Sequence, residues 1–336
     1  MTPRFDFASD TTAPATPEAM AALIRANDGY SASYGEDQES ARAADLLRAL
    51  FDADAAVRFV PSATAANAIC LAALCRPFEA VIAHQHAHVL TNETGAPGFF
   101  GQGLGVIGLP GAGGKIEPAA LAAALAAPDV SYRQSPAALS LTNVTEYHGV
   151  YDSAQVAALA GLAKAKGLGV HIDGARLANA AAAGFDLKSV AKAGVDLVVF
   201  GGAKAGMPPA EAIVIFDKAL VRRFDARLKQ AGQLPSKGRF YAAPFIGMLE
   251  DGAIFRHAAH ANAMAAKLAV ATPFPLRHPA ESNAVFMDID DARLIALQAK
   301  GWLVYRFLDG SVRFTCSWAT TAEAVETLAA DLQSLR

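Results

Sequence analysis

Almost unbroken aliphatic runs, DLVVF at 196–200 and EAIVIFD at 211–217, recur along this chain between alanine-rich stretches of helical spacing. A run that is apolar at nearly every position suits a strand covered on both faces. Strands of this kind separated by helices read as a parallel sheet with helical crossovers. Five further strand candidates precede them: AVRFV (56–60), EAVIA (79–83), VIGL (106–109), ALSLTN (138–143) and GVHID (169–173). Helices are predicted over 36–52, 62–76, 118–126, 152–166 and 174–183. In the first, Ala41, Ala44, Leu47, Leu50 and Phe51 recur at helical spacing. From about 237 the texture changes to long helical stretches, two more strands (283–290 and 311–317) and a closing helix at 321–334. The expectation for 336 residues is a large α/β domain over 1–236, with an N-terminal arm at 1–35, and a small α+β domain over 237–336.

Composition removes several classes of function. Hydrophobic residues make up 53% of the chain and charged residues 18%, so a disordered chain is excluded. The 29 basic and 32 acidic residues leave a net charge of −3 and no basic stripe, which argues against a nucleic-acid partner. Much of the apolar content is alanine. No run reaches the roughly 18 residues a membrane-spanning helix needs, and the longest, Ser62 to Cys75, ends at Arg76-Pro77. The opening MTPRFDFASDTTAP has no apolar core, so no signal peptide is expected. Cys70, Cys75 and Cys316 form no CxxC pair and read as reduced thiols of a cytoplasmic protein.

In a parallel α/β sheet, polar residues just beyond the C-terminal strand ends face the ligand crevice. Asp173 ends GVHID, Lys204 follows DLVVFGGA, and His88 lies just beyond EAVIA. Ser62 and Thr64 follow AVRFV and open a helix, whose free N–H groups suit a phosphate. Each has a plainer reading: Lys204 as a solvated loop residue, Asp173 and Ser62 as helix caps, Arg176 as a surface charge, His88 as a structural histidine. Their joint occurrence at strand ends is what favours a single site.

The segments ASDTTAP (8–14), SYGEDQES (33–40), FVPSATAAN (59–67), HAHVLTNETGA (86–96), HIDGAR (171–176), FGGAKAG (200–206) and VRFTCSW (312–318) resemble the threonine aldolase/β-eliminating lyase family of fold-type-I pyridoxal-phosphate enzymes. The likeness runs from about Phe7 to Ser317, and HIDGAR is its most specific block. It implies an aspartate-aminotransferase-like fold with a mostly parallel seven-stranded sheet. It also implies pyridoxal 5'-phosphate held on Lys204 as a Schiff base, with Asp173 at the ring nitrogen and His88 stacked on the ring. Ser62, Ala63 and Thr64 take the phosphate. Arg176 returns to the Asp173 side by one helical turn, and Ser9 and Arg313 hold the substrate carboxylate. Tyr34 and Lys229 reach a partner subunit's site, which implies a homo-oligomer, a dimer or a dimer of dimers. The implied reaction is cleavage of L-threonine or a related β-hydroxy-α-amino acid to glycine and an aldehyde. Elimination on another amino acid is the alternative.

The chain departs from the family at two places. Ala63 stands where many relatives have glycine, and Thr145, in TNVTEYHG (142–149), stands in or near the place of a histidine. His88 is therefore the first candidate for the base that takes the hydroxyl proton, with Glu146 and His148 behind it. Three other motifs compete with this reading. Gly103 to Gly108 matches GxGxxG but precedes a strand candidate, and Gly114-Lys115 lacks the rest of a Walker loop. His84, His86 and His88, alternating on a strand with Asp173 nearby, could bind zinc in a hydrolase.

Overall fold

The computed structural model describes residues 2–128 and 130–336. The chain opens with a 3₁₀ turn, Asp10–Thr12, and helix α1 (Pro17–Ala26) inside the expected arm. There follow α2 (Gln38–Phe51), β1 (Ala56–Val60), α3 (Ala63–Leu74), β2 (Glu79–His84), α4 (His88–Thr91), α5 (Ala96–Phe100), β3 (Gly105–Leu109), α6 (Pro118–Ala126) and β4 (Ser135–Thr142). The large sheet is completed by β5 (Gly169–Gly174), β6 (Leu197–Gly201) and β7 (Glu211–Ile215), with α7 (Ser153–Ala165), α8 (Leu177–Ala182) and α9 (Ser189–Lys192) between them. After β7 come α10 (Val221–Gln230), α11 (Arg239–Leu249), α12 (Ala253–Ala271), β8 (Ala284–Met287), α13 (Asp291–Ala299), β9 (Tyr305–Arg306), β10 (Val312–Thr315) and α14 (Ala322–Gln333).

The seven strands lie in the order β1-β7-β6-β5-β4-β2-β3. β2, β3, β4, β5 and β6 pair parallel, while β7 runs against both of its neighbours, β1 and β6. Every residue of β6 and β7 is buried, as their unbroken apolar runs require. α3 is apolar on nearly all sides, Thr64 and Asn67 apart, because it packs beneath the sheet and between α5 and α10, with buried residues from Ala65 to Ala72. Phe51, Phe200 and Phe245, all wholly buried, anchor the core against the sheet, each contributing roughly 1.5–3 kcal/mol by leaving water.

A second core surrounds the three-stranded sheet β8-β10-β9. Phe7 of the N-terminal arm belongs to it and packs on Trp302, ring centroids 5.6 Å apart. α11 supplies Ala242, Phe245 and Met248 to the large core. α12 is shared: Ala253, Ile254 and Ala258 join the large core, and Ala265 and Leu268 the second. The expected division after 236 therefore falls ahead of a helix that packs on the large sheet's side.

Two local expectations are corrected. β5 runs through Gly174 and α8 begins at Leu177, so 175–176 form a turn, with Arg176 at the N-cap position. A side chain at Gly174 would meet Val199 O at 2.4 Å, which explains the glycine. The strand of the histidine run ends at His84; His86 lies in a turn and His88 opens α4, so the three rings do not alternate on one strand.

Candidate active site

β4, β5 and β6 end side by side, with Thr142 opposite Asp173 and Gly174 opposite Phe200. Asp173 is 3% exposed and held at both oxygens: Oδ1 accepts from the Ala175 N–H at 3.0 Å and Oδ2 from Asn67 Nδ2 at 3.0 Å. Asn67 comes from α3, so this helix carries both the turn after β1 and a partner of Asp173. Asp173 thus caps the short turn and does not cap α8.

Lys204 stands two residues past Gly202, half-buried in a 3₁₀ turn. Added side chains at Gly201 and Gly202 would meet Ala175 O at 2.2 Å and Ala210 O at 2.3 Å, so the turn is seated against two backbones. Glu211 fixes it from β7, accepting the Gly202 N–H at 2.8 Å. Burial pushes the Glu211 carboxyl up to about 7.

His88 Nδ1 contacts Glu93 Oε1 at 2.9 Å. That hydrogen bond pulls the imidazole above its usual range, and burial pushes the Glu93 carboxyl up as well. Arg176 is buried against Asp10, Nε to Oδ2 at 2.6 Å and Nη2 to Oδ1 at 3.1 Å. Burial alone would raise the Asp10 carboxyl, but the Arg176 charge and hydrogen bonds outweigh it and hold the acid well below its usual range. Arg176 is thus neither a surface charge nor placed by a helical turn; the 175–176 turn and Asp10 set it.

The Thr315 N–H donates to Phe7 O at 2.9 Å, which lays the arm beside β10, the strand of Arg313. Ser9 caps the adjoining turn by accepting from the Thr11 N–H at 3.2 Å. Arg313 donates to the Tyr305 hydroxyl, lies 4.8 Å from the Phe307 ring centre, and keeps a buried Nε without a partner. Burial, and then Arg176, lower its proton affinity.

His148 is wholly buried. Asn283 Nδ2 donates to Asp10 Oδ2 and Cys316 O, so its Oδ1 faces His148 Nδ1 at 3.0 Å and that nitrogen carries the hydrogen. His148 Nε2 has no partner, and burial keeps the ring neutral. Thr145 is committed to its loop, donating to Gly113 O at 2.7 Å and accepting from the Gly149 N–H at 3.0 Å. Glu146 is half-buried, and its charge is felt at His88 and Arg176.

Ser62 occupies the N-cap position of α3 but makes no capping bond, leaving the first N–H groups of the helix to another acceptor. Ala63 lies within the helix, where its methyl group is carried without strain. This donor set fits the phosphate of the implied cofactor, and Asp173, as a fixed acceptor, fits its ring nitrogen. Tyr34 and Lys229 are both exposed and meet each other, Lys229 Nζ 4.1 Å from the Tyr34 ring centre. The histidine run holds no metal site: His84 Nε2 donates to Gly111 O at 3.0 Å, and His86 Nδ1 meets the Tyr147 hydroxyl at 2.6 Å. Among the described residues no three His, Cys, Asp or Glu gather as ligands. Sequence reasoning missed Asp10, Asn67, Glu93, Glu211 and Asn283, though Asp10, Asn67 and Glu93 lie inside blocks it had singled out.

A strand-end lysine, acid and imidazole, with a buried arginine on the turn after β5 and a half-buried one on β10, define an α/β enzyme of the aspartate-aminotransferase-like class. The family profile described as Beta-eliminating lyase matches residues 6–292. A low specificity L-threonine aldolase from Pseudomonas sp. is 43% identical over 98% of this chain and 97% of its own. Another, from Pseudomonas aeruginosa, is 44% identical over 97% and 96%. A solved threonine aldolase from Leishmania major superposes with a TM-score of 0.92 at 30% identity, covering 98% of both chains. Aspartate aminotransferase from Thermus thermophilus shares the fold, with a TM-score of 0.71 at 18% identity over 100% of this chain and 90% of its own. The chain belongs to the β-eliminating lyase family.

Proposed function

We propose that this chain is a pyridoxal-phosphate-dependent aldolase that cleaves L-threonine and related β-hydroxy-α-amino acids to glycine and an aldehyde. The observation that carries the reading is near-full-length likeness to two low specificity L-threonine aldolases. The residues gathered at the strand ends support it. When bound to Lys204, the cofactor supplies an electron sink for the pair released as the Cα–Cβ bond breaks. Asp173 holds the proton on the ring nitrogen. Ser62, Ala63 and Thr64 would take the phosphate at the α3 N-terminus, and His88 would lie against the ring.

Arg313 and Ser9 grip the substrate carboxylate, the arginine by its paired donors. Arg176, fixed by Asp10, borders both cofactor and substrate. Holding the carboxylate would orient the substrate so that the bond to be broken could align with the cofactor's electron sink. His88, with its Nδ1 hydrogen on Glu93, presents Nε2 to take the β-hydroxyl proton; His148, neutral and with a bare Nε2, is the second candidate.

The exposed Tyr34–Lys229 pair supports a homo-oligomer, a dimer or a dimer of dimers, in which both reach a neighbouring subunit's site. Three buried free thiols suit a reducing cytoplasm. No helix of the described residues is long and apolar enough to cross a membrane. The family's description favours elimination as the second reading, and products separate the two. L-threonine and L-phenylserine should yield glycine with acetaldehyde or benzaldehyde. Ammonia and a 2-keto acid without glycine would overturn the aldolase.

A further inference from the structure

Asn67 is 1% exposed on α3, and its amide nitrogen lies between two carboxylates. It donates to Asp173 Oδ2 at 3.0 Å and to Glu93 Oε1 at 2.9 Å. Carboxylate oxygens accept, so the amide must turn its NH₂ group to them; the reverse orientation would set Asn67 Oδ1 against their lone pairs. This orientation leaves Asn67 Oδ1 buried without a partner, and Glu93 Oε2 likewise. An unpaired buried carbonyl is unfavourable, and the fold carries it to keep both amide hydrogens between the acids. Glu93 Oε1 also meets His88 Nδ1 at 2.9 Å, while Asp173 Oδ1 is held by the Ala175 N–H at 3.0 Å. One continuous chain of hydrogen bonds therefore runs from His88 through Glu93 and Asn67 to Asp173.

We propose that Asn67 is a positioning residue that ties Asp173, the partner of the cofactor's ring nitrogen, to the His88–Glu93 pair, so that the two are set as one unit. The inference rests on the pyridoxal-phosphate reading of Asp173. Asn67 acts through the two acids and touches neither substrate nor the reacting bond. An amide is the group this position needs. A serine hydroxyl has one hydrogen and serves one acid, an aspartate adds an anion, and a leucine of similar volume serves neither.

The test is a double-mutant cycle between Asn67 and Glu93, read at the cofactor. The protein is loaded with pyridoxal phosphate carrying ¹⁵N in its ring. In the native background, Glu93→Gln removes the anion that holds Asn67. It should move the ring-nitrogen resonance toward unprotonated pyridine and weaken cofactor binding about fivefold, an ordinary coupling for residues of one network. In the Asn67→Leu background, Glu93→Gln should leave the ring-nitrogen resonance unmoved and weaken binding only by the share that runs through His88. Asn67→Ser, which keeps one hydrogen, should give an intermediate resonance and replaces the leucine variant if that does not fold. The same Glu93→Gln shift of the ring-nitrogen resonance in both backgrounds, or no shift in the native one, overturns the proposal while leaving the pyridoxal reading intact. Failure of the native chain to take up the cofactor removes both.

Discussion

Asp173 is fixed by one backbone and one side-chain donor, and this fixity is what an electrostatic role at a ring nitrogen requires. Asp173→Asn should fold and take up cofactor, yet lose turnover by roughly 10²-fold or more, the usual cost of removing a fixed electrostatic partner. Near-native turnover would contradict the role. Glu211 makes a prediction about pH. Its carboxyl is raised from 4.5 to about 7 by burial, so the folded chain holds that proton more tightly than the unfolded chain. Below 4.5 it makes no difference; as pH rises from 4.5 to about 7 the unfolded state ionises first and stability falls. Glu211→Gln has no such proton. Unfolding measured between about pH 4 and pH 8 should show the native chain losing roughly 3 kcal/mol more than the variant. Parallel curves would refute it. Lys204, Asp173 and His88 were legible because strand ends announce themselves in the apolar pattern. Asp10 was not, because its partner Arg176 lies 166 residues away and no periodicity links them.

Short turns carry more of the site than the helices do. The Gly201-Gly202 turn lies against the Ala175 and Ala210 carbonyls, so Gly201→Ala should cost roughly 1–3 kcal/mol, the usual overpacking penalty, and displace Lys204. Gly161, exposed within α7 with nothing near its Cβ position, is the contrasting case. Gly161→Ala should stabilise by about 0.5–1 kcal/mol through helix propensity. Denaturant unfolding of the two variants checks both; effects of the same sign would contradict the packing described. All seven strands of the large sheet were readable, β6 and β7 from near-continuous apolar runs and the other five as short strand candidates between helical stretches. The start of α8 and the end of β2 were not. HIDGAR and HQHAH look regular in sequence, but Gly174 packs against a strand carbonyl and His86 turns toward Tyr147. Those are tertiary contacts that local pattern does not encode.

At the scale of the molecule, two cores meet around a site to which both contribute. The large sheet brings Lys204, Asp173 and His88; the N-terminal arm and β10 bring Ser9, Asp10 and Arg313 from the second core's side. Phe7 and Trp302 join the arm to the second core, an association across nearly 300 residues that composition alone could not announce. The reversed direction of β7 was equally silent in sequence, since its apolar run is the same read either way. The proposed function stands on one covalent claim, that Lys204 is the lysine that carries the cofactor. Borohydride reduction of the pyridoxal-phosphate-loaded protein, followed by peptide mapping, tests it most directly. The account predicts a pyridoxyl group on Lys204 and on no other lysine. A label on Lys115 or Lys229 with none on Lys204 would contradict it.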